Sequence, residues 1–208
     1  MNINEFAREV HQNAVEHGWW DGKRSKQEIL ALIHSEWSEA LEEFRNDRPM
    51  HYMVCKNCGE PCMKAGCGDY IAPGGSVSRA ECVLGDLDPK PEGIAVELID
   101  GCIRILDFLA NEGIVVRHGY QITKTQGMAL PQLIATLHYN TASVQNDICT
   151  DGEWVDCNDL RAVSEWLSSC ISEVFDWIRG EGFEPEELML EKHAYNKTRP
   201  YKHGGKKC

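Results

Sequence analysis

Two pairs of carboxylates carry most of the chemistry available to this chain. Glu36 and Glu39 stand three residues apart, and so do Glu97 and Asp100. A three-residue step keeps both members of a pair on one helix face. On a helical wheel Glu36 falls inside the arc of Ile29, Leu32, Ile33 and Ala40, with Glu39 at its margin. Glu97 and Asp100 sit in a mainly apolar stretch, on a polar strip continued by Arg104, Asp107 and Asn111. A carboxylate among apolar neighbours is costly unless a cation or a donor meets it. Two such pairs on neighbouring helices supply four oxygen ligands, a set that suits Mg²⁺ or Mn²⁺. The competing expectation is local pairing at the surface, Asp100 with Arg104 at i, i+4 for example.

Cysteines form the second constellation. Of ten in the chain, Cys55, Cys58, Cys62, Cys67 and Cys82 crowd one segment. Cys55-Lys-Asn-Cys58-Gly59 has the form of a zinc knuckle, and Cys62 and Cys67 complete four sulfurs, with Cys82 or His51 as substitutes. Four thiolates leave no open position, so the expected zinc is structural. Reduced, unliganded thiols are the alternative, and no βαβ pattern supports a redox CxxC. Near the C-terminus, Lys192, Asn196 and Arg199 come at spacings of four and three, so a helix end presents them together. Arg and Lys there suit phosphate oxygens and Asn a phosphate or sugar; a solvated basic tail is the alternative. Trp19 and Trp20 follow the first helix, and stacking of a nucleobase on Trp20 competes with plain core packing. His34, beside Glu36, reads as a polar surface residue.

Six helices are expected to position these groups, over about 3–17, 25–45, 92–112, 131–147, 158–179 and 184–196. Ser25-Lys-Gln-Glu28 reads as a capping box at the start of the second. Residues 49–91 have a different texture. They hold five of the eight prolines and many glycines, show no helical period, and read as an irregular Cys-rich insertion. A faint repeat relates 32–39 to 133–140 and 98–113 to 166–182. It makes 130–183 a degenerate second hairpin, with Leu137, Asn140 and Ser168 where Glu36, Glu39 and Asp100 stand. Two such hairpins would pack as a helical bundle. The reading is all-α, with a core of 1–48 and 92–208 and the insertion at 49–91.

The chain has 208 residues and a net charge of −12. An acidic surface repels long nucleic acids, while the basic C-terminal segment suits a small phosphorylated ligand. The longest apolar stretch, 93–110, is broken by Glu97, Asp100, Arg104 and Asp107, so no membrane span is expected. The first residues lack a secretory pattern, and the expected compartment is the cytoplasm.

Glu36-Trp-Ser-Glu39 and Glu97-Leu-Ile-Asp100 resemble the ExxE and ExxD signature of the all-α nucleoside triphosphate pyrophosphohydrolases, the MazG-like and dimeric dUTPase group. The surrounding Ile33–Arg45 and Glu92–Arg104, and the segment Lys192–Lys206, are similar to family text as well. The 57 residues between Glu39 and Glu97 exceed the family's usual spacing, and the Cys-rich insertion accounts for the excess. The resemblance implies a helical bundle of that type and Mg²⁺-dependent cleavage of a nucleoside triphosphate between its α- and β-phosphates. It implies Glu36, Glu39, Glu97 and Asp100 as metal ligands, with Glu39 orienting or deprotonating the attacking water. It also implies substrate contacts at Lys192, Asn196 and Arg199. The family tends to assemble, so a homodimer is one expectation, and a single chain made self-sufficient by the repeat is the other. A non-catalytic adaptor whose zinc insertion engages a partner is the rival expectation. A redox di-metal protein is disfavoured because the Glu-x-x-His ligand motifs are missing.

Overall fold

Asn2 starts the first helix, its side-chain oxygen accepting the backbone N–H groups of Asn4 and Glu5 at the head of α1 (Ile3–Glu16). Ser25 accepts the N–H of Glu28 at 3.1 Å and opens α2 (Lys26–Arg45). The Glu28 carboxylate turns to the Arg24 guanidinium rather than back to the cap, so the expected box is half made. The computed structural model describes residues 1–54, 89–117, 124–148, 154 and 159–202. Along them follow β1 (Tyr52–Val54), β2 (Lys90–Glu92), α3 (Ile94–Asn111), α4 (Leu130–Ser143), a 3-10 turn at Val144–Asp147, α5 (Asp159–Gly180) and α6 (Pro185–Lys197). The chain is mainly helical, as its periodicity implies. No helix among the described residues is long and apolar enough to cross a membrane.

The strand pair is the element that periodicity did not foretell. β1 and β2 run antiparallel, with Tyr52 opposite Glu92, Met53 opposite Pro91 and Val54 opposite Lys90. Pro91 has no N–H to offer, which a two-stranded ribbon tolerates because both strands are edges. The pairing brings residue 54 to residue 90 and sets Lys90 and Glu92 beside α3 and α6. Just before β1, the carbonyls of Pro49 and Met50 accept the N–H groups of Ile94 and Ala95 at 3.2 and 2.9 Å. They cap α3 in place of a side chain. Gly93 makes this possible: its φ is +118°, and a Cβ would lie 2.7 Å from both carbonyl oxygens.

α3 is the central element, packed by α1, α2, α5 and α6, with Leu98, Ile99, Cys102, Ile105, Leu106, Phe108 and Leu109 wholly buried. Its approach to α2 is set by Gly101, where a Cβ would fall 2.2 Å from the Trp37 ring. That indole is itself wholly buried and donates Nε1–H to Thr141 Oγ1 on α4 at 3.0 Å. Trp37 is the neighbour of Glu36 and Gly101 the neighbour of Asp100, so this one contact sets the distance between the carboxylate pairs. Gly101→Ala should therefore cost about 3 kcal/mol, because a rigid buried ring must move. A lower urea midpoint with an unchanged slope would show it. An unchanged midpoint would mean that α2 and α3 have room to part.

The two hairpins carry matching bonds. Asp107 on α3 accepts Trp20 Nε1–H ahead of α2, at 3.0 Å. Asp176 on α5 accepts the N–H of Thr125 ahead of α4, at 2.8 Å. The bonds that close α3, from Glu112, Gly113 and Ile114, recur at the end of α5 from Glu181, Gly182 and Phe183. Between α2 and α4, His34 meets His138 and Trp37 meets Thr141, a constant offset of 104 residues. Compared through these bonds, Glu36 stands against Asn140 rather than Leu137, and Arg104 against Glu173. Asn140 and Glu173 are hydrogen-bonded to each other at 3.0 Å.

Candidate functional site

Because Gly101 lets α2 and α3 approach closely, Glu36, Glu97 and Asp100 converge. Their ligand oxygens all lie within 4.8 Å of one another, the group among the described residues able to hold a metal ion. They belong to a cleft of about 240 Å³ whose walls come from α1, α2, α3, β2, α6 and the turn after α6. Glu36 is 3% exposed and Glu97 5%. Glu39 lines the same cleft from an exposed position one turn on, outside that close group.

Burial dominates the electrostatics. It pushes Glu97 up to about 9, against the pull of Lys192 and with the help of Asp100 and Glu92. Glu92 and Glu97 hydrogen-bond each other; burial acts on Glu92 too, but the proton held by Glu97 and the Lys90 ammonium leave Glu92 below the usual range. Burial likewise pushes Glu36 up to about 7, with Arg104 opposing and Asp100 and Glu39 reinforcing. Asp100 goes the other way. Burial would raise it, but Lys192 Nζ at 2.9 Å holds the carboxyl below the ordinary aspartate range. Arg104 reaches across from α3 to donate Nε–H to Glu36. Local pairing of Asp100 with Arg104 is thus replaced by two cross-element ion pairs.

The predicted C-terminal contacts divide. Asn196 and Arg199 line the cleft, whereas Lys192 is only 1% exposed and is fixed between Asp100 and the Pro91 carbonyl. Lys192 is therefore a buried counter-ion, neither a solvated tail residue nor an open phosphate contact in this state. Of the tryptophan pair, Trp19 lines the cleft. Trp20 packs against the core, donates to Asp107, meets His11 edge-on and carries Arg24 over its face. Trp20 thus has a packing and hydrogen-bonding role, with Arg24 over its ring, and Trp19 is the tryptophan that lines the cleft. His34 is half-buried and meets His138 Nδ1 to Nδ1 at 2.7 Å, away from the carboxylates. Cys55, Cys58, Cys62 and Cys67 lie outside the described residues.

Sequence reasoning missed Lys90, Arg24, Asn13, His17 and His193, all of which line the cleft. Lys90 arrives through the strand pairing, which no hydrophobic period announces. His193 was legible as the neighbour of Lys192. Two atoms along the cleft, Asn196 Oδ1 and Arg24 Nη2, are buried without a hydrogen-bond partner, and His193 Nε2 has Glu9 at 3.5 Å. A buried donor and a buried acceptor left unsatisfied suit a polar ligand better than an idle groove. No family model, curated protein or solved structure matches the chain.

Buried acids short of counter-charge are what a divalent cation relieves. The donor set here, three carboxylates with a fourth one turn away and room for water, fits Mg²⁺. Arg104 and Lys192 pair with two of these carboxylates, Glu36 and Asp100.

Proposed function

We propose that this chain is a Mg²⁺-dependent nucleoside triphosphate pyrophosphohydrolase that converts a (d)NTP to the (d)NMP and pyrophosphate. The observation that carries the reading is the convergence of Glu36, Glu97 and Asp100 in a cleft that also presents Arg199 and Lys90. The motif resemblance supplies the reaction class. Bound Mg²⁺ would neutralise phosphate oxygens and lower the pKa of a coordinated water. Glu36, Glu97 and Asp100 would hold the ion, and Lys192 keeps the Asp100 carboxylate ionised and oriented. Glu39, exposed to the cleft, accepts the proton of the attacking water at its carboxylate. Arg199 and Lys90 pair with phosphate oxygens, and Asn196 offers its unsatisfied Oδ1 to a sugar hydroxyl. The α1 wall, with Asn13, His17 and Trp19, faces the nucleoside. Structural zinc on Cys55, Cys58, Cys62 and Cys67, a homodimeric assembly and a cytoplasmic setting belong to the same proposal. Elemental analysis of protein purified without added zinc tests the zinc site.

A product assay across the common NTPs and dNTPs, resolving pyrophosphate from orthophosphate, tests the function. Monophosphate plus pyrophosphate is expected with Mg²⁺, and Glu36→Gln should lower turnover by about 10³-fold. Orthophosphate as product, turnover surviving in Glu36→Gln, or no turnover by folded, metal-replete protein would each overturn it.

A further inference from the structure

Two of the three converging carboxylates hold a cation supplied by the protein, and the two cations differ in freedom. Lys192, on Asp100, is enclosed and has a second fixed partner in the Pro91 carbonyl. Arg104, on Glu36, has a side chain 40% exposed to the cleft. Among the described residues its guanidinium bonds through Nε alone. Four of its five N–H groups are thereby left for something else.

We propose that Arg104 is a displaceable counter-ion: it holds Glu36 while the carboxylate cluster has no metal, releases it when a divalent cation binds, and then contacts the phosphate oxygens of the nucleotide. The inference rests on the pyrophosphohydrolase reading above. Its physics is local. A divalent cation on Glu36 and Asp100 repels a guanidinium touching the same Glu36 carboxylate. The long side chain can swing into the open cleft at little cost, an escape that enclosed Lys192 lacks. Arg199 faces Glu36, Asp100 and Arg104 from the segment after α6. A released Arg104 and Arg199 therefore form two sides of one anion site, and the planar fork of each matches phosphate. The cleft then exchanges one charge-balanced state, arginine on glutamate, for another, metal on glutamate and arginine on phosphate.

Mn²⁺ binding followed by electron paramagnetic resonance without nucleotide gives the first readout. Affinity for a triphosphate with a non-hydrolysable α,β linkage, in the presence of Mn²⁺, gives the second. Arg104→Ala and Arg104→Gln should bind Mn²⁺ about fivefold more tightly than the parent, because a competing cation is gone. Both should bind the analogue about tenfold more weakly. The glutamine variant keeps a neutral donor beside Glu36 and guards against a folding defect. Mn²⁺ affinity unchanged or weakened in both variants, with the parent binding normally, overturns the counter-ion role and leaves the metal site standing. Tighter Mn²⁺ with undiminished analogue binding overturns the phosphate contact. A parent protein that binds no Mn²⁺, or Mn²⁺ binding that survives in Glu36→Gln, overturns the metal site and this inference with it.

Discussion

Glu97→Gln should give a protein that is more stable above neutral pH and no longer holds the metal. Glu97 is a buried carboxyl pushed up to about 9 from an ordinary 4.5, first by burial and then by Asp100 and Glu92. Between those two values the folded chain binds a proton that the unfolded chain has released. Stability from this group is therefore full below about pH 4.5 and declines as pH rises towards 9. Glutamine has nearly the same shape and no charge to desolvate, so that decline disappears. At pH 8 the variant should exceed the parent by up to roughly 5 kcal/mol, or about 10 °C in Tm, both without metal. Millimolar Mg²⁺ should stabilise the parent by mass action and leave the variant unmoved. Thermal melts at pH 5 and pH 8, with and without Mg²⁺, read all of this. A variant less stable than the parent at pH 8 would show that Glu97 is ionised in the folded state, with Lys192 as its real partner.

Lys192→Met should be the most damaging single change near the site. The ammonium lies in the interior, 2.9 Å from Asp100, and burial alone would lower its pKa. Asp100 and Glu97 raise it instead, so Lys192 stays charged at every ordinary pH. Methionine fills the same volume and leaves Asp100 beside two further acids with no cation in contact, Arg104 and Lys90 acting only from a distance. Breaking a buried pair from one side costs about 3–5 kcal/mol, here a fall of about 10 °C. Lys192→Met with Asp100→Asn should recover most of that loss, because neither charge is then stranded. A single variant within about 1 kcal/mol of the parent would mean that Asp100 finds another cation, with Arg104 one turn away as the candidate.

These two expectations differ in how far they were readable in advance. The location of Glu97 on a mainly apolar helix is visible in the letters around it, since a 3.6-residue period assigns each residue to a face. That Lys192 is interior is not. Its segment holds Lys197, Arg199 and Lys202 and reads as basic and exposed, and only the docking of α6 against α3 and β2 encloses one lysine among them. The same limit explains Trp19 and Trp20. They are adjacent in the segment after α1, and only the packing of elements around the cleft makes Trp19 a lining residue while Trp20 bonds Asp107.

Local chemistry in the sequence determined the helices, their starts at Asn2 and Ser25, the burial of α3 on nearly every side and the pairing of acids along α2 and α3. Each of these depends on residues within a turn or two of one another. Tertiary structure alone decided that Gly101 meets Trp37, that Arg104 crosses to Glu36 while Lys192 takes Asp100, and that Tyr52–Val54 pairs with Lys90–Glu92. Periodicity fixes the face a residue occupies, but the partner of that face is chosen by packing between elements far apart in the chain, where volume and charge must match at once.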